Sequence, residues 1–411
     1  MAGELALHGG SRVRNTPFPS WPVYGEAEEK ALLDVLHSGK WGRLDGSQVA
    51  AFEQEFATYQ GAQYGIAVVN GSVALWVALM AAGIQAGDEV IVPPYTFQAT
   101  AVSVIEANAV PVFVDVHPDS YCLDPDLIED AITERTRAII PVHFAGQAAD
   151  MDAILAIARK YELVVIEDAA HAHGARYKDQ GLGAIGDMGA FSFQSSKNLT
   201  SGEGGIVLTN SDLYERLVRS VHNCGRLPEG EWYSHYIMGS NFRMTEFQGA
   251  LLRAQMTRLE EQTRIRDANG LYLNAKLAEI PGILPFPRGQ GETRHSYHLY
   301  MFRYNAAEFD GVPRERFLEA LRAEGVPCSP GYGLPLYRQP LFEQLAFGPF
   351  TGYRQTVPNL DYSKVSCPVT ERACREEAVW LTQPMLLGTQ ADMDDIVEAV
   401  AKVYAHRQEL M

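Results

Sequence analysis

Leu163-Val-Val-Ile-Glu-Asp168-Ala-Ala-His171 is an apolar run that ends in two acids and is followed at once by small residues. It is too short for a helix and shows no in-out alternation. That pattern fits a strand covered on both faces, as in the parallel sheets of α/β proteins. Comparable runs lie on either side, at Ile66–Val69, Glu89–Val92, Val110–Val114, Ala138–Val142 and Ile206–Thr209. Helical patterns at 73–82, 98–107, 124–132 and 150–161 separate them, so the spacing predicts βα units around a mostly parallel sheet.

Before this region, residues 1–25 are rich in proline and aromatics (Pro17, Phe18, Pro19, Trp21, Pro22, Tyr24), which suits an extended arm held against a neighbour. Helical spacing then starts, around a glycine-rich break at Gly39 to Gly46. After the sheet region, 246–280 carries a long amphipathic pattern suited to a helix linking two units. Beyond it come a strand-like Tyr297 to Tyr304, helices near 313–324 and 390–407, and a Pro/Gly/Tyr-rich loop at 327–340. The organisation predicted is an arm at 1–25, a large unit at 26–265 and a smaller α+β unit at 266–411.

The 411 residues are 46% hydrophobic, which is enough for two cores enclosing a cleft. A net charge of −17 argues against nucleic acid or an anionic membrane as the main partner. The five cysteines (Cys122, Cys224, Cys328, Cys367, Cys374) are odd in number and scattered, with no CxxC spacing, and read as reduced thiols. No basic leader with an apolar run behind it and no membrane-length apolar stretch is present, so a soluble, unprocessed, cytoplasmic chain is expected.

Three segments carry chemistry. Asp168 ends a buried strand, at the edge where open α/β sheets bind ligands, although an aspartate there serves equally well as a helix cap. Met188-Gly-Ala-Phe-Ser192-Phe-Gln-Ser-Ser-Lys197 sets a lysine between an apolar strand and Ser201-Gly-Glu-Gly-Gly205. Most lysines are surface residues, but one enclosed by apolar and small residues loses charge toward a nucleophilic amine. Ile66-Ala-Val-Val-Asn-Gly71-Ser72 reads as strand, turn and helix start, whose free amides suit a phosphate as readily as they make an ordinary βα turn. Together, phosphate on Gly71 and Ser72, a ring nitrogen on Asp168 and an aldehyde on Lys197 match pyridoxal 5'-phosphate. Gly181-Leu-Gly-Ala-Ile-Gly186 matches GxGxxG but leads into a strand, and is rejected as a dinucleotide site. Asn198-Leu-Thr200 is rejected as a glycosylation site. His143, His171 and His173 complete no metal ligand set.

With these residues in hand, the chain resembles the DegT/DnrJ/EryC1/StrS family of fold-type-I pyridoxal-phosphate aminotransferases over nearly its whole length. The resemblance rests on Asn70-Gly71-Ser72, Pro93-Pro-Tyr95-Thr-Phe97, Glu167 to Gly174, Phe191 to Lys197, Gly202-Glu-Gly-Gly205 and Gly239-Ser-Asn241-Phe-Arg243. It implies an α/β fold with a seven-stranded, mostly parallel sheet flanked by helices. It further implies that Gly71, Ser72 and Ser192 hold the phosphate, Phe97 stacks on the ring, Asp168 pairs the ring nitrogen and His171 lies near the ring hydroxyl. Lys197 is then the Schiff-base lysine, not the histidine of the family's sugar dehydratases. Asn241 would reach the phosphate of a second subunit, which implies a homodimer with shared sites. Tyr95, His298, Tyr332 and Tyr337 are candidates for the substrate cleft, each with simple packing as the plainer explanation. The opening Phe18 to Pro22 and the tail around Cys367, Trp380 and Gly388 resemble two groups within the family. One aminates scyllo-inosose-type cyclitols from L-glutamine; the other comprises the aromatising 3-amino-5-hydroxybenzoate synthases. The expected activity is ping-pong transfer from L-glutamine or L-glutamate to a keto group of a cyclitol or sugar. The alternatives are the aromatising reaction and a cofactor-binding regulatory subunit without turnover.

Overall fold

A computed structural model describes residues 4–227 and 229–411. Its apolar runs form β1 (Tyr64–Val68), β2 (Glu89–Val92), β3 (Val110–Phe113), β4 (Thr136–Ile139), β5 (Val164–Asp168), β6 (Met188–Ser192) and β7 (Gly205–Thr209). These make one seven-stranded sheet in the order β1-β7-β6-β5-β4-β2-β3. Only β7 runs against the rest, antiparallel to both β1 and β6. The strands β2, β4, β5 and β6 are parallel neighbours, so their C-terminal ends share one edge.

Helices cover the sheet: α1 (Glu26–Ser38), α2 (Gln48–Gln60), α3 (Gly71–Ala81), α4 (Ala99–Glu106), α5 (Met151–Tyr161), α6 (Asp212–His222) and α7 (Glu246–Leu277). Their starts follow capping chemistry. Asn70 Oδ1 accepts the Val73 amide at 2.8 Å and Asp150 Oδ1 accepts the Ala153 amide at 3.2 Å, while Thr245 and Gln248 form a capping box at the start of α7. Helix α3 is apolar almost all round because it lies between the sheet and α4, with Ala74, Leu75, Val77 and Ala78 all buried.

A second core surrounds the antiparallel strands β8 (Ile283–Pro285), β9 (Leu299–Tyr304) and β10 (Ala378–Thr382), covered by α8 (Arg314–Ala323) and α9 (Gln390–Ala405). Helix α7 belongs to both cores: Leu252 and Leu259 pack with the large sheet, Leu273 and Leu277 with the small one. The expected division at 265–266 therefore falls inside one continuous helix.

The N-terminal arm is fixed on its own chain. Leu5 is fully buried in the small core, Arg14 pairs with Asp392 and Asp395 at 2.7 Å each, and Glu324 accepts the Ala6 and Val13 amides and the Lys402 ammonium. Proline spacing shows that such a segment is extended, but it does not say which surface holds it.

Candidate active site

The parallel strand ends and the small unit enclose a cleft of about 520 Å³. Asn70, Gly71, Ser72, Phe97, Asp168, His171, Ser192, Lys197, His298 and Tyr332 all line it. The rejected GxGxxG segment belongs to the scaffold beneath, where its Gly183, Ile185 and Gly186 amides donate to the buried Glu167 carboxylate at 2.6–2.7 Å. Among the described residues no group of three His, Cys, Asp or Glu side chains is placed to hold a metal ion, and no helix is long and apolar enough to cross a membrane.

Asp168 ends β5 with its side chain 6% exposed. Thr100 Oγ1 donates to its Oδ2 at 2.8 Å and the Ala170 amide to its Oδ1 at 3.2 Å. Burial pushes its pKa above the usual carboxylate range, and these bonds and Lys197 pull it down again. A carboxylate in this state gains from any cation the cleft admits. Lys197 follows β6 in a tight turn, its amide bonded to the Gln194 carbonyl at 2.9 Å. Lys197 is half-buried in the cleft wall, and desolvation of its ammonium lowers its pKa to about 8, against the pull of Asp168. A larger fraction of it is thus the neutral, nucleophilic amine at physiological pH than for a surface lysine.

The phosphate end is built by close approach of backbones. A Cβ on Gly71 would lie 2.6 Å from Ser192 Cβ, and one on Gly205 2.4 Å from the Asn70 carbonyl, so only glycines let β6, β7 and the start of α3 meet. The first amides of α3 and the Ser72 and Ser192 hydroxyls then converge as donors for an anion. His173 holds this wall by donating Nε2–H to the Ser192 carbonyl at 2.9 Å, with burial lowering its pKa to about 3. Phe97 is 57% exposed and presents an uncovered aromatic face.

His171 and His298 stack with ring centroids 4.2 Å apart. The Ala145 amide donates to His171 Nδ1 at 3.2 Å, and Asn198 lies 3.2 Å from His298 Nδ1. Burial together with the charge of Lys197 holds both imidazoles well below their usual pKa, hence neutral.

Two expected substrate contacts are corrected. Tyr95 is fully buried behind the cleft wall, its ring 5.4 Å from Tyr332 and 6.1 Å from Trp380. Tyr337 belongs to a separate core, where its hydroxyl donates to Glu371 at 2.7 Å and accepts the Cys367 amide at 3.0 Å. Asn241 is exposed and does not line the cleft of its own chain. Sequence reasoning missed Thr100, Asn198 and Trp380 as functional positions. Asn198 carried a signal, since it directly follows the lysine, and Trp380 lay in the tail that carried the resemblance; Thr100 carried none.

The set fits pyridoxal phosphate: an anion cradle that only glycines permit, an enclosed acid for a ring nitrogen, an amine near neutrality and an open aromatic face. The family model for DegT/DnrJ/EryC1/StrS aminotransferases matches residues 22–401. A Streptoalloteichus tenebrarius protein, provisionally assigned as an L-glutamine:3-amino-2,3-dideoxy-scyllo-inosose aminotransferase, is 42% identical over 98% of both chains. The L-glutamine:2-deoxy-scyllo-inosose aminotransferase of Streptomyces paromomycinus is 39% identical over 99% of both. The crystal structure of 3-amino-5-hydroxybenzoic acid synthase superposes with a TM-score of 0.84 at 34% identity, covering 96% of this chain and all of that one. With its strand-end acid, its enclosed lysine and a family match over most of its length, the chain belongs to the DegT/DnrJ/EryC1/StrS aminotransferase family.

Proposed function

We infer that this aminotransferase moves the amino group of L-glutamine or L-glutamate to a keto group of a cyclitol or sugar in two half-reactions at one cleft. The observation that carries the reading is Lys197, an amine brought near neutrality and opening onto the same cleft as Asp168 and the start of α3. Pyridoxal phosphate, the cofactor of this family, supplies when bound an electrophilic carbonyl carbon and a protonated ring that accepts electron density. Asp168 would hold the proton on the ring nitrogen, and Phe97 would cover one ring face. Gly71, Ser72 and Ser192 would hold the phosphate, and His171 would offer Nε2–H near the ring hydroxyl. Lys197 would bind the carbonyl carbon and, as a free amine, would take and return the proton at the donor's α-carbon. A homodimer accounts for Asn241: exposed on its own chain, it is free to complete the phosphate site of a second copy. His298 and Tyr332, which line the same cleft, remain the candidates for substrate contact.

The 39–42% identity to enzymes named for scyllo-inosose derivatives favours L-glutamine as donor and a polyhydroxylated cyclic ketone as acceptor. The test is spectroscopic. Cofactor-loaded protein is titrated with L-glutamine, L-glutamate and L-alanine, then with 2-deoxy-scyllo-inosose or scyllo-inosose, with Lys197→Ala as control. The reading requires a visible cofactor band that bleaches with one donor and returns with the ketone. A band that no donor changes would sink it in favour of a non-catalytic subunit. The likeness to 3-amino-5-hydroxybenzoic acid synthase keeps one rival, which an aminodehydroshikimate analogue converted in preference to either inosose would establish.

A further inference from the structure

The proton positions on the two stacked imidazoles follow from their neighbours. Asn198 Nδ2 donates to the Ser296 carbonyl at 2.8 Å. A carbonyl only accepts, so the carboxamide nitrogen must face Ser296 and Oδ1 must face His298. Oδ1 also only accepts, so the bond of 3.2 Å to His298 Nδ1 requires the proton on Nδ1. The ring is neutral, because burial disfavours a second proton and the charges of Lys197 and Arg266 add to it. Its Nε2 is therefore a bare lone pair. The neighbouring His171 is the reverse: Nδ1 accepts the Ala145 amide, leaving Nε2–H as a donor. Both residues line the cleft, and Ser296 ties them together, since its hydroxyl donates to the His171 carbonyl at 2.7 Å.

We propose that Asn198 is a positioning residue that fixes the His298 tautomer, so that the cleft selects substrates with a neutral hydrogen-bond donor at Nε2. The proposal rests on the aminotransferase reading and adds to it what the cleft recognises. Two substrate groups have the required chemistry: the side-chain carboxamide of glutamine, as against the carboxylate of glutamate, and a ring hydroxyl of a polyhydroxy ketone. A carboxylate would set a second lone pair against Nε2. Because a ping-pong enzyme admits donor and acceptor in turn, one acceptor atom serves either.

The tautomer is read without catalysis by two-bond 1H–15N correlation in 15N-histidine-labelled protein, with His298 assigned by loss of its signals in His298→Gln. A pyrrole-type shift at Nδ1 and a pyridine-type shift at Nε2 are expected, and the proton found on Nε2 in the wild type overturns the proposal. Kinetics supply two arms: the kcat/KM ratio for glutamine over glutamate, and that for scyllo-inosose over 2-deoxy-scyllo-inosose, which lacks one ring hydroxyl. In Asn198→Leu at least one ratio should fall about tenfold, the worth of one hydrogen bond, and the arm that falls names the group recognised. In Asn198→Asp the added charge should protonate His298 at both nitrogens and shift preference toward glutamate. Both ratios unchanged in Asn198→Leu overturn the proposal; if neither ketone reacts, the cyclitol reading of the acceptor fails, and the spectrum with the glutamine-to-glutamate ratio decides the proposal.

Discussion

Glu167 and Asp168 are consecutive acids at the end of one strand, and the pleat of β5 sends them to opposite faces of the sheet. Glu167 is fully buried and accepts four hydrogen bonds, from the Gly183, Ile185 and Gly186 amides and from His143 at 2.8 Å. Asp168 is nearly as buried but, among the described residues, its side chain accepts only two, from Thr100 and Ala170. One carboxylate is saturated by the protein and holds a turn in place. The other keeps lone pairs for something that arrives from the cleft. Burial alone does not separate scaffold from chemistry; the count of satisfied lone pairs does.

Four substitutions bear on that contrast. Lys197→Ala should abolish amino transfer, by about 10⁴-fold or more, while the fold persists by circular dichroism. In the wild type, labelling of Lys197 by an amine reagent should rise with pH about a midpoint near 8, below the range of surface lysines, since burial removes its proton early. Its linkage has a definite sign: between about 8 and the unfolded lysine value near 10.4 the unfolded chain binds more protons, so stability of the cofactor-free protein contributed by this group rises with pH. Asp168→Asn should lower kcat/KM by about 10²- to 10³-fold. It should also raise the denaturation midpoint of the cofactor-free protein at neutral pH, because a carboxyl whose folded pKa is raised opposes folding once ionised.

Glu167→Gln should do the opposite, setting an NH2 against amide donors and costing about 3 kcal/mol of stability by denaturant titration. An Asp168-like gain in stability there would break the distinction between the two acids. The smallest effect belongs to Tyr337→Phe, which removes the Glu371 bond and the acceptor of the Cys367 amide and should cost about 2 kcal/mol with amino-transfer rates near wild type. A large loss of turnover would return Tyr337 to the substrate cleft.

The same physics divides what the sequence made legible from what it did not. Strands buried on both faces announce themselves as unbroken apolar runs, so the sheet could be read directly, and the glycines around Gly71 and Gly205 mark backbones that must touch. Asp168 and Lys197 stood out because each placed a charge where the pattern demanded none. Thr100 did not, since a threonine on an apolar helix becomes a carboxylate partner only once β5 is set beside α4. Tyr95 and Tyr337 misled because an aromatic side chain in a proline-rich loop has no periodicity to say which way it faces. Nor could the arm's hold be read, since the counterions of Arg14, Asp392 and Asp395, lie at the far end of the chain.

Helix α7 works as a beam joining the floor of the cleft to its roof. Its 32 residues span about 48 Å, so a tilt of about 5° at mid-length displaces either end by about 2 Å. Leu252 and Leu259 anchor one half in the large core and Leu273 and Leu277 anchor the other in the small core, so a change of tilt would pass from one core to the other. A proline placed near Arg264 would interrupt the helix between its two anchors and so be felt in both cores.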